Sequence, residues 1–363
     1  MEGIKKKIII SAPRFYGIDE AICESWVHYG FNAILKNYRT ESTIQEKIAR
    51  RLSIRLSLTK PVLLPLIRFY LSKENNDFLA MIRREKPDIL FIIKGDHLFS
   101  ETLRIIKNEM NIPLIAYIWD DPFYSYAGRY TDEYRKTNFE KGMTLYDHVF
   151  VYDTYYLEEI RRRGVDQATY LPLAGDPNRY NCLDIKEEDR KQFEYDVCFV
   201  GVPYPNRVEI LNSLSQFKVG AFGDSWDKYF LRRGKKLPSY YKGKATGEKV
   251  LKIYRSSKIA LNIHDPEAKD GANTRTFDIL ACGARELVDY KKSLETHFKI
   301  GEEIITYRDP DELHKLIAYF CQNIKELESI SERGRQRVLK EHTWHHRVRK
   351  IIATLMEKQL VPS

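Results

Sequence analysis

The sequence predicts an α/β protein with two doubly wound domains, each built on a mainly parallel sheet, that face a cleft. Three observations lead to this prediction. The chain has 363 residues, which is more than one hydrophobic core usually supports. Short, almost continuous apolar runs alternate with segments of helical spacing, as is typical of parallel strands covered on both faces. This alternation is interrupted by a polar stretch and then starts again.

The first half contains repeated strand and helix units. Apolar runs predict strands at residues 7–12, 31–35, 89–93, 114–119 and 148–152. The segments between them have helical spacing and predict helices at residues 19–29, 76–85, 100–108 and 154–163. Strands that alternate with helices in this way favour a parallel sheet.

The second half repeats the pattern after a stretch rich in charged residues at 173–194. Strands are predicted at residues 195–200, 219–222, 259–263, 286–289 and 303–307, and helices at 207–215, 247–256, 276–282 and 311–323. We therefore expect an N-terminal domain at residues 1–180, a C-terminal domain at 181–340 and a final helix at 341–363 that packs back on the first domain. Ligands of such folds bind at the carboxyl ends of the strands.

Composition excludes several classes of protein. With 43% hydrophobic and 31% charged residues, the chain is neither disordered nor collagen-like. It lacks an apolar run of about 18 residues, and its first apolar run is too short for a signal peptide, so we expect a cytoplasmic protein. The five cysteines are odd in number and form no C-x-x-C pair, which argues against disulfides and against a cysteine zinc site.

The distribution of charge points to one class of partner. The net charge of +9 is spread over both halves of the chain, which argues against a nucleic-acid partner. Residues 47–73, however, contain seven Lys or Arg residues and no acid. This segment suits contact with an anionic membrane surface, and a solvated helix face explains it equally well.

Familiar catalytic motifs are absent from the sequence. It has no G-x-x-x-x-G-K-[ST] loop, no G-x-G-x-x-G fingerprint, no H-E-x-x-H and no G-x-S-x-G, which argues against the enzyme classes that use them. Asp309-Pro310-Asp311 is formally a D-x-D metal signature, but an acid before a predicted helix is more typical of an N-cap. We expect no metal ion and no cofactor.

Two glycine turns follow predicted strands of the second half. A turn at Gly201 and Val202, with a helix starting near Arg207, lets backbone amides and a guanidinium approach a phosphate. Turns of this kind also occur in α/β proteins that bind no phosphate. The second turn contains Gly223 and Trp226, and the indole either stacks on a nucleotide base or packs in the core.

The segment 273–290 combines a predicted helix with polar residues at both ends. Asn273 or Thr274 caps the helix, and a glycine ends it before the next strand. Asp278 and Glu286 lie eight residues apart, at the two ends of this short helix. Such carboxylates can accept hydrogen bonds from the hydroxyls of a sugar or a ribose. Ordinary capping and a surface acid are the alternative.

The order and spacing of these segments resemble the CgeB-like, spore-maturation-type glycosyltransferases. The resemblance covers roughly residues 195–350 and is thinner in the first half. It rests on residues 196–201, Arg207, Gly223, Trp226, the run Ala260-Leu261-Asn262-Ile263 and residues 273–283 in the second half, and on residues 91–95, 119–122 and 171–176 in the first.

This resemblance implies a GT-B fold with two Rossmann-like domains. It also implies transfer of a sugar from a nucleotide donor, held mainly by the second domain, to an acceptor held mainly by the first. Asn262 would lie on the donor side. The implied contacts are Gly201 and Arg207 to the diphosphate, Asn273 and Arg275 to phosphate or sugar, Asp278 to a sugar hydroxyl and Glu286 to the ribose. The family usually has glutamate where this chain has Asp278.

Charge suggests how such a reaction would proceed. When the bond between the sugar and the diphosphate breaks, the nucleoside diphosphate is the leaving group and carries negative charge. Fixed positive groups therefore lower the barrier, and Arg207 and Arg275 are the candidates. In GT-B enzymes such groups replace the metal. An inverting reaction also needs a base for the acceptor hydroxyl. The candidates in the first domain are Asp120, Asp121, Asp96 and His97, with Lys94 on the same acceptor side.

The identity of the acceptor stays open, and an envelope glycan, a lipid-linked glycan or a protein would each fit. Two alternatives to a transferase also remain. One is a nucleotide-sugar binding protein that has lost catalysis. The other is a sugar-nucleotide epimerase of the same fold, which changes its donor without any acceptor.

Overall fold

The computed structural model describes residues 6–38, 60–123, 130–176, 178 and 184–361, with only the backbone described at 60–64, 66–67 and 130–134. The chain divides into two compact units. Unit 1 comprises Met1–Pro172 and Arg347–Ser363, and unit 2 comprises Leu173–His346. Both units contain a parallel sheet with helices, so the predicted α/β class is confirmed.

Unit 1 is built on a six-stranded parallel sheet with the order β2-β1-β3-β4-β5-β6. Ile8, Ile9 and Ile10 are completely buried in the sheet because helices cover both of its faces. The strands are β1 (Lys7–Pro13), β2 (Asn32–Tyr38), β3 (Ile89–Ile93), β4 (Leu114–Ile118), β5 (His148–Val151) and β6 (Ala168–Tyr170). The helices are α1 (Ile18–His28), α2 (Lys60–Glu85), α3 (Ser100–Arg104), α4 (Tyr130–Gly142) and α5 (Thr154–Arg162).

Unit 2 is built on a five-stranded parallel sheet with the order β11-β10-β9-β7-β8. The strands are β7 (Val197–Val200), β8 (Val219–Phe222), β9 (Ile259–Asn262), β10 (Glu286–Asp289) and β11 (Ile305–Tyr307). The helices are α6 (Glu187–Gln192), α7 (Pro205–Ser213), α8 (Trp226–Leu231), α9 (Glu248–Ser256), α10 (Thr274–Ala281), α11 (Leu294–His297), α12 (Pro310–Gln322) and α13 (Ile324–Glu341).

A last helix, α14 (Trp344–Glu357), begins in unit 2 and continues into unit 1. Within unit 1, Arg347 Nε donates to the carbonyl of Pro172 at 2.9 Å, and Lys358 Nζ donates to Gln167 Oε1 at 2.7 Å. These bonds tie the C-terminal segment to the end of the sheet of unit 1.

The structure also departs from the predicted elements. Helix α2 begins at Lys60, well before residue 76, and contains Pro65. Helix α4 and the three-residue strand β6 were not predicted, because a polar helix and a very short strand leave little periodic signal. The predicted helix at 100–108 is α3 followed by one π-helical turn, Ile105–Glu109.

Two predictions concerned contact with a membrane. Among the described residues, no helix is long and apolar enough to cross a membrane. Of the basic segment 47–73, residues 47–59 lie outside the described part of the chain.

Four cysteines are free thiols, Cys23, Cys198, Cys282 and Cys321, whereas Cys182 lies outside the described residues.

Candidate functional site

The two predicted glycine turns of unit 2 lie against each other at the carboxyl ends of β7 and β8. A Cβ atom on Gly223 would lie 2.2 Å from the carbonyl oxygen of Gly201, and the φ angle of Gly223 is +141°. A Cβ atom on Gly201 would lie 2.5 Å from Arg275 Nη1. The N–H of Gly201 donates to the carbonyl of Phe222 at 2.8 Å. The glycines therefore permit close packing, and the Gly201 amide is used inside the sheet.

Trp226 supports this turn from below. Its indole is completely buried, and Nε1 donates to the carbonyl of Gly201 at 2.9 Å. The ring stacks on Tyr241, with ring centroids 5.2 Å apart, and on Phe230 at 6.1 Å. The structure thus places Trp226 in the packing role, with its faces occupied by other rings.

Two arginines converge beneath the same turn. Arg207 Nε donates to the carbonyl of Ile263 at 3.0 Å, and Arg275 Nη2 reaches that same oxygen at 3.5 Å. Both guanidinium groups also lie over the ring of Phe199, at 5.6 and 5.8 Å. Arg275 is half-buried, whereas Arg207 is only 2% exposed.

The positive charge of this pair is poorly compensated. Among the described residues, the carboxylate in ion-pair range is that of Asp265, 4.0 Å from Arg207 Nη2. Burial and then the neighbouring charge of Arg275 lower the pKa of Arg207 to about 9. Arg207 still carries its proton at neutral pH, so the turn lies over two cationic groups. An anion there would relieve their repulsion.

Helix α10 presents its N-terminus next to this pair, and a histidine fixes its first turn. The Asn273 side chain caps the helix by accepting from the N–H of Thr276 at 3.1 Å. The backbone N–H of Asn273 donates to His264 Nε2 at 3.0 Å. Because Nε2 accepts, the ring proton lies on Nδ1, which donates to Asp289 Oδ1 at 2.6 Å.

A buried polar network holds the helix to the sheet. Asn262 Nδ2 donates to Asn273 Oδ1, Thr276 Oγ1 and Glu286 Oε1, at 3.1, 3.1 and 2.9 Å. Burial raises the pKa of Glu286 well above its ordinary value of 4.5, against the hydrogen bond from Asn262. Glu286 is only 1% exposed and is enclosed by this network. A ribose would therefore reach its carboxyl group only if the surrounding side chains moved.

The other predicted donor residues lie along α10. Thr274 is the first residue of the helix and is half-buried. Asp278 is 8% exposed, and its Oδ1 accepts from the backbone N–H of Asp176 at 3.3 Å. Val202 is half-buried, and its carbonyl accepts from Arg207 Nη1 at 3.2 Å.

In unit 1, the predicted acceptor residues follow β3 and β4. Lys94 forms an ion pair with Asp120, whose side chain is 30% exposed. Burial raises the pKa of Asp120, but the ammonium groups of Lys136 and Lys94 outweigh it and hold that pKa below its usual range. Asp120 is therefore an ionised carboxylate that is partly exposed to solvent.

The remaining candidates in unit 1 are more enclosed. Asp121 accepts from Tyr156 OH and from the N–H of Phe123, both at 2.9 Å, which closes the turn after β4. His97 is buried, its ring stacks on Tyr38 with centroids 3.6 Å apart, and its Nε2 lies 3.0 Å from Ser11 Oγ.

Asp96 is also buried, at 9% exposure, and its backbone carbonyl lies 3.4 Å from Asn138 Nδ2. Of the acidic candidates in unit 1, Asp120 is thus the most open to solvent.

The formal D-x-D signature at Asp309 has a structural role in the described residues. Asp309 caps α12 by accepting from the N–H of Glu312 at 2.8 Å, as predicted. No group of three or more His, Cys, Asp or Glu side chains that could hold a metal ion occurs in the described part of the chain.

Sequence reasoning missed His264 and Asp289. Their signal was present: His264 directly follows the strand at 259–263, and Asp289 ends the strand at 286–289. Both therefore lie at the carboxyl edge of the sheet, where ligands of α/β folds bind. The sequence did not reveal the hydrogen bond from the backbone N–H of Asn273 to His264 Nε2, because that bond depends on the path of the intervening loop.

Known proteins resemble this chain in sequence and in fold. Residues 207–353 match the family model described as "Glycosyl transferase-like". The spore protein CgeB of Bacillus subtilis (strain 168) is 22% identical over 269 residues, which cover 70% of this chain and 78% of CgeB.

Solved structures share the fold at low sequence identity. Anabaena HepE in complex with UDP and glucose has a TM-score of 0.63 and 13% identity, covering 97% of this chain and all of HepE. Sucrose-phosphate synthase from Thermosynechococcus elongatus has a TM-score of 0.66 and 12% identity, covering 98% of this chain and 99% of the synthase. A UDP-N-acetylglucosamine 2-epimerase has a TM-score of 0.54 and 11% identity, covering 99% of this chain and 98% of the epimerase.

The family model and the similarity to CgeB agree with the resemblance predicted from the sequence, and the solved structures agree on the fold. The chain has the α/β fold with two parallel sheets of these solved structures, and over residues 207–353 it is similar to the glycosyl transferase-like family.

Proposed function

We propose that this protein transfers a sugar from a uridine diphosphate sugar, bound at the carboxyl edge of the unit 2 sheet, to an acceptor hydroxyl without a metal ion. One observation carries the proposal. Arg207 and Arg275 share the carbonyl of Ile263 and the ring of Phe199, and Asp265 at 4.0 Å is the carboxylate in ion-pair range. Such a poorly compensated cationic pair matches the charge of a diphosphate.

The two arginines would act in different ways. Arg275 donates to the carbonyls of Val200 at 3.0 Å and Ile263 at 3.5 Å, but it is half-buried and so more accessible than Arg207. It would therefore contact the diphosphate directly. Arg207 is buried and donates hydrogen bonds to the carbonyls of Ile263 and Val202. It would therefore act as a fixed positive charge. As the bond between sugar and diphosphate breaks, both charges would stabilise the leaving group, which is where the transition state differs most from the bound donor.

The helix α10 would add to this stabilisation. The positive end of the helix dipole and the first amides of the helix lie beside the arginine pair. The hydrogen bonds that link Asp289, His264 and Asn273 fix the position of this helix end. Asp278, in the second turn, would bind a hydroxyl of the sugar. The proposal of a uridine donor is supported by the similarity in fold to HepE, which has been solved with UDP and with UDP-glucose.

Asp120 of unit 1 would act as the general base in an inverting reaction. Its carboxylate is ionised and partly exposed to solvent, and the ion pair with Lys94 orients it. Asp121 and His97 would instead maintain the structure around it, because Tyr156 and Phe123 donate to the two carboxylate oxygens of Asp121, and His97 is buried with its Nε2 on Ser11.

Product analysis tests the proposal. The purified protein is incubated with UDP-glucose, UDP-N-acetylglucosamine and UDP-galactose, with and without EDTA, and with an acceptor panel of glycans, glycolipids and glycan-bearing proteins. We expect UDP release that resists EDTA and depends on Arg275. Conversion of the donor into an isomeric sugar nucleotide of unchanged mass would instead identify an epimerase. An epimerase is the second candidate because the fold is also similar to that of a UDP-N-acetylglucosamine 2-epimerase. Tight binding with no turnover would identify the inactive binder.

A further inference from the structure

An exposed, strongly basic segment of unit 2 plays no part in the proposed reaction. Residues 231–237 read Leu-Arg-Arg-Gly-Lys-Lys-Leu, and all seven residues are exposed. We call this segment the basic loop. The longer stretch 228–247 has Lys or Arg at positions 228, 232, 233, 235, 236, 242 and 244 and no Asp or Glu.

The basic loop is an ordered turn at the end of α8. Gly234 adopts a φ of +62°, its N–H donates to the carbonyl of Leu231 at 3.1 Å, and the N–H of Lys235 donates to the carbonyl of Phe230 at 3.0 Å. These bonds close the end of the helix with a left-handed glycine. Phe230 is buried against Trp226, so the turn is fixed at its base.

The chain that follows the basic loop is also anchored to the core of unit 2. Tyr240 packs edge-on against Trp226, with ring centroids 6.0 Å apart, and its hydroxyl donates to Asn212 Oδ1 at 2.9 Å. The backbone N–H of Ala221 in β8 donates to the carbonyl of Tyr240 at 2.8 Å. The basic loop therefore projects from the core between two fixed ends.

The charges of the basic loop are not neutralised within the described residues. Arg233 lies over the ring of Tyr229 at 3.6 Å, and Lys244, outside the loop, pairs with Asp224 at 2.7 Å. No ion pair among the described residues includes Arg232, Lys235 or Lys236. A cluster of uncompensated positive charge on a fixed turn attracts an anionic surface.

Leucines flank these charges on both sides. Leu231 is 80% exposed and Leu237 is 47% exposed. Exposed large apolar side chains beside a basic cluster are the combination that binds the interface of an anionic bilayer, where headgroups take the charges and the acyl boundary takes the apolar side chains. A dissolved anionic polymer would use the four cations and would leave the leucines in water.

We propose that the basic loop docks unit 2 onto an anionic lipid surface, with Leu231 and Leu237 entering the boundary of the acyl chains. This surface is separate in sequence from the basic segment 47–73. It is also independent of the proposed transfer reaction, because no residue of the loop belongs to the candidate site.

Vesicle cosedimentation of the full-length protein tests this proposal. The probes are phosphatidylcholine vesicles with and without phosphatidylglycerol. The charge variant carries Arg232→Gln, Arg233→Gln, Lys235→Gln and Lys236→Gln. The leucine variant carries Leu231→Ser and Leu237→Ser. A matched control removes four exposed lysines elsewhere in unit 2, through Lys292→Gln, Lys315→Gln, Lys325→Gln and Lys340→Gln.

We expect the wild type to bind vesicles with phosphatidylglycerol and not pure phosphatidylcholine. Because each basic residue near an anionic surface contributes about fivefold in affinity, the charge variant should bind more than about 100-fold more weakly. The leucine variant should lose about tenfold, and the control should stay within about threefold of the wild type. Thermal unfolding checks that all variants are folded.

Three outcomes would overturn the proposal. Unchanged binding by the charge variant would place any membrane contact elsewhere in the chain. A control that loses as much as the charge variant would show an effect of net charge alone. Full retention by the leucine variant would mean that the basic loop recognises soluble anions, such as a polyanionic glycan, without entering a bilayer. None of these results depends on whether the protein transfers a sugar.

Discussion

The carboxyl edges of the two sheets have the same architecture but differ in how far their cationic side chains are paired with carboxylates. In unit 1, Lys94 pairs with Asp120. In unit 2, Arg207 and Arg275 lie together, and Asp265 at 4.0 Å is the carboxylate in ion-pair range. The same strand, turn and helix architecture thus yields a compensated edge in one unit and a poorly compensated cationic edge in the other. The charge of the unit 2 edge agrees with the anionic ligand that we propose, and the carboxylate of the unit 1 edge agrees with the proton transfer that we propose.

The strongest test of this division of roles is the substitution Asp120→Asn. If Asp120 is the base, removing its charge should lower the rate of transfer by about 10² to 10⁴-fold and leave the affinity for UDP unchanged. Steady-state kinetics and calorimetric titration measure the two quantities. Asp121→Asn is the comparison, and we expect it to affect stability more than rate because its oxygens close a turn. Transfer by Asp120→Asn at the wild-type rate would exclude Asp120 as the base.

The substitution Arg275→Ala tests the cationic edge of unit 2. Loss of a charged contact to a developing diphosphate should lower kcat by about 10² to 10³-fold. Arg275→Lys should recover part of this loss, because an ammonium keeps the charge without the planar fork. Arg190→Ala removes an exposed arginine of α6 and serves as the control. Equal rates for the Arg275→Ala and Arg190→Ala proteins would contradict the assignment.

The substitution Gly223→Ala tests the close packing of the two turns. The added Cβ atom meets the carbonyl of Gly201 at 2.2 Å, at a φ of +141°, so we expect a loss of about 3 kcal/mol in the free energy of unfolding. Gly301→Ala has a left-handed φ of +85° and no atom within 4 Å of the added Cβ. It should lose only about 1 kcal/mol. Denaturant titration distinguishes the two, and equal losses would show that contact with Gly201 contributes nothing.

The substitution His264→Ala tests the link between the sheet edge and α10. It removes the acceptor for the Asn273 N–H, so the first turn of the helix should loosen and UDP should bind about tenfold more weakly. His264→Gln, which can still offer a side-chain oxygen, should bind UDP more tightly than His264→Ala. Because His264 is a positioning residue, KM should rise more than kcat falls. A change in stability with no change in KM would reduce its role to packing.

The smallest effect concerns Glu286, whose pKa is raised by burial. A carboxyl group with a raised pKa in the folded state favours folding fully below its unfolded pKa of 4.5, and this contribution is lost as the pH rises toward the folded value. Glu286→Gln removes the titration, so the variant should gain stability relative to the wild type as the pH rises from 5 to 8. Denaturant titrations at both pH values measure the difference, and parallel curves would contradict it.

Much of the fold could be predicted because its strands are short apolar runs covered on both faces. Ile89–Ile93 is completely buried, and its sequence is apolar without interruption. The polar helix Tyr130–Gly142 gave no comparable signal. Periodicity reports burial of an element on one or both faces, so elements that bury little escape it.

The candidate site could be predicted only in outline. The positions of Gly201, Arg207 and Arg275 at the sheet edge followed from strand, turn and helix order. The depth of each side chain did not, since the enclosure of Arg207 depends on carbonyls at Ile263 and Val202. The packing of Trp226 against Tyr241 likewise depends on a contact across fifteen residues of chain, which no local pattern encodes.

Binding of a diphosphate by unit 2 is measured by titration with UDP and with uridine, for the wild type and Arg275→Ala. We expect the wild type to bind UDP at least about 100-fold more tightly than uridine, because the diphosphate meets two cationic groups and a helix N-terminus. In the Arg275→Ala protein this ratio should fall by at least about tenfold. Equal affinity for UDP and uridine in the wild type, or an unchanged ratio in the variant, would contradict the claim that unit 2 binds a diphosphate.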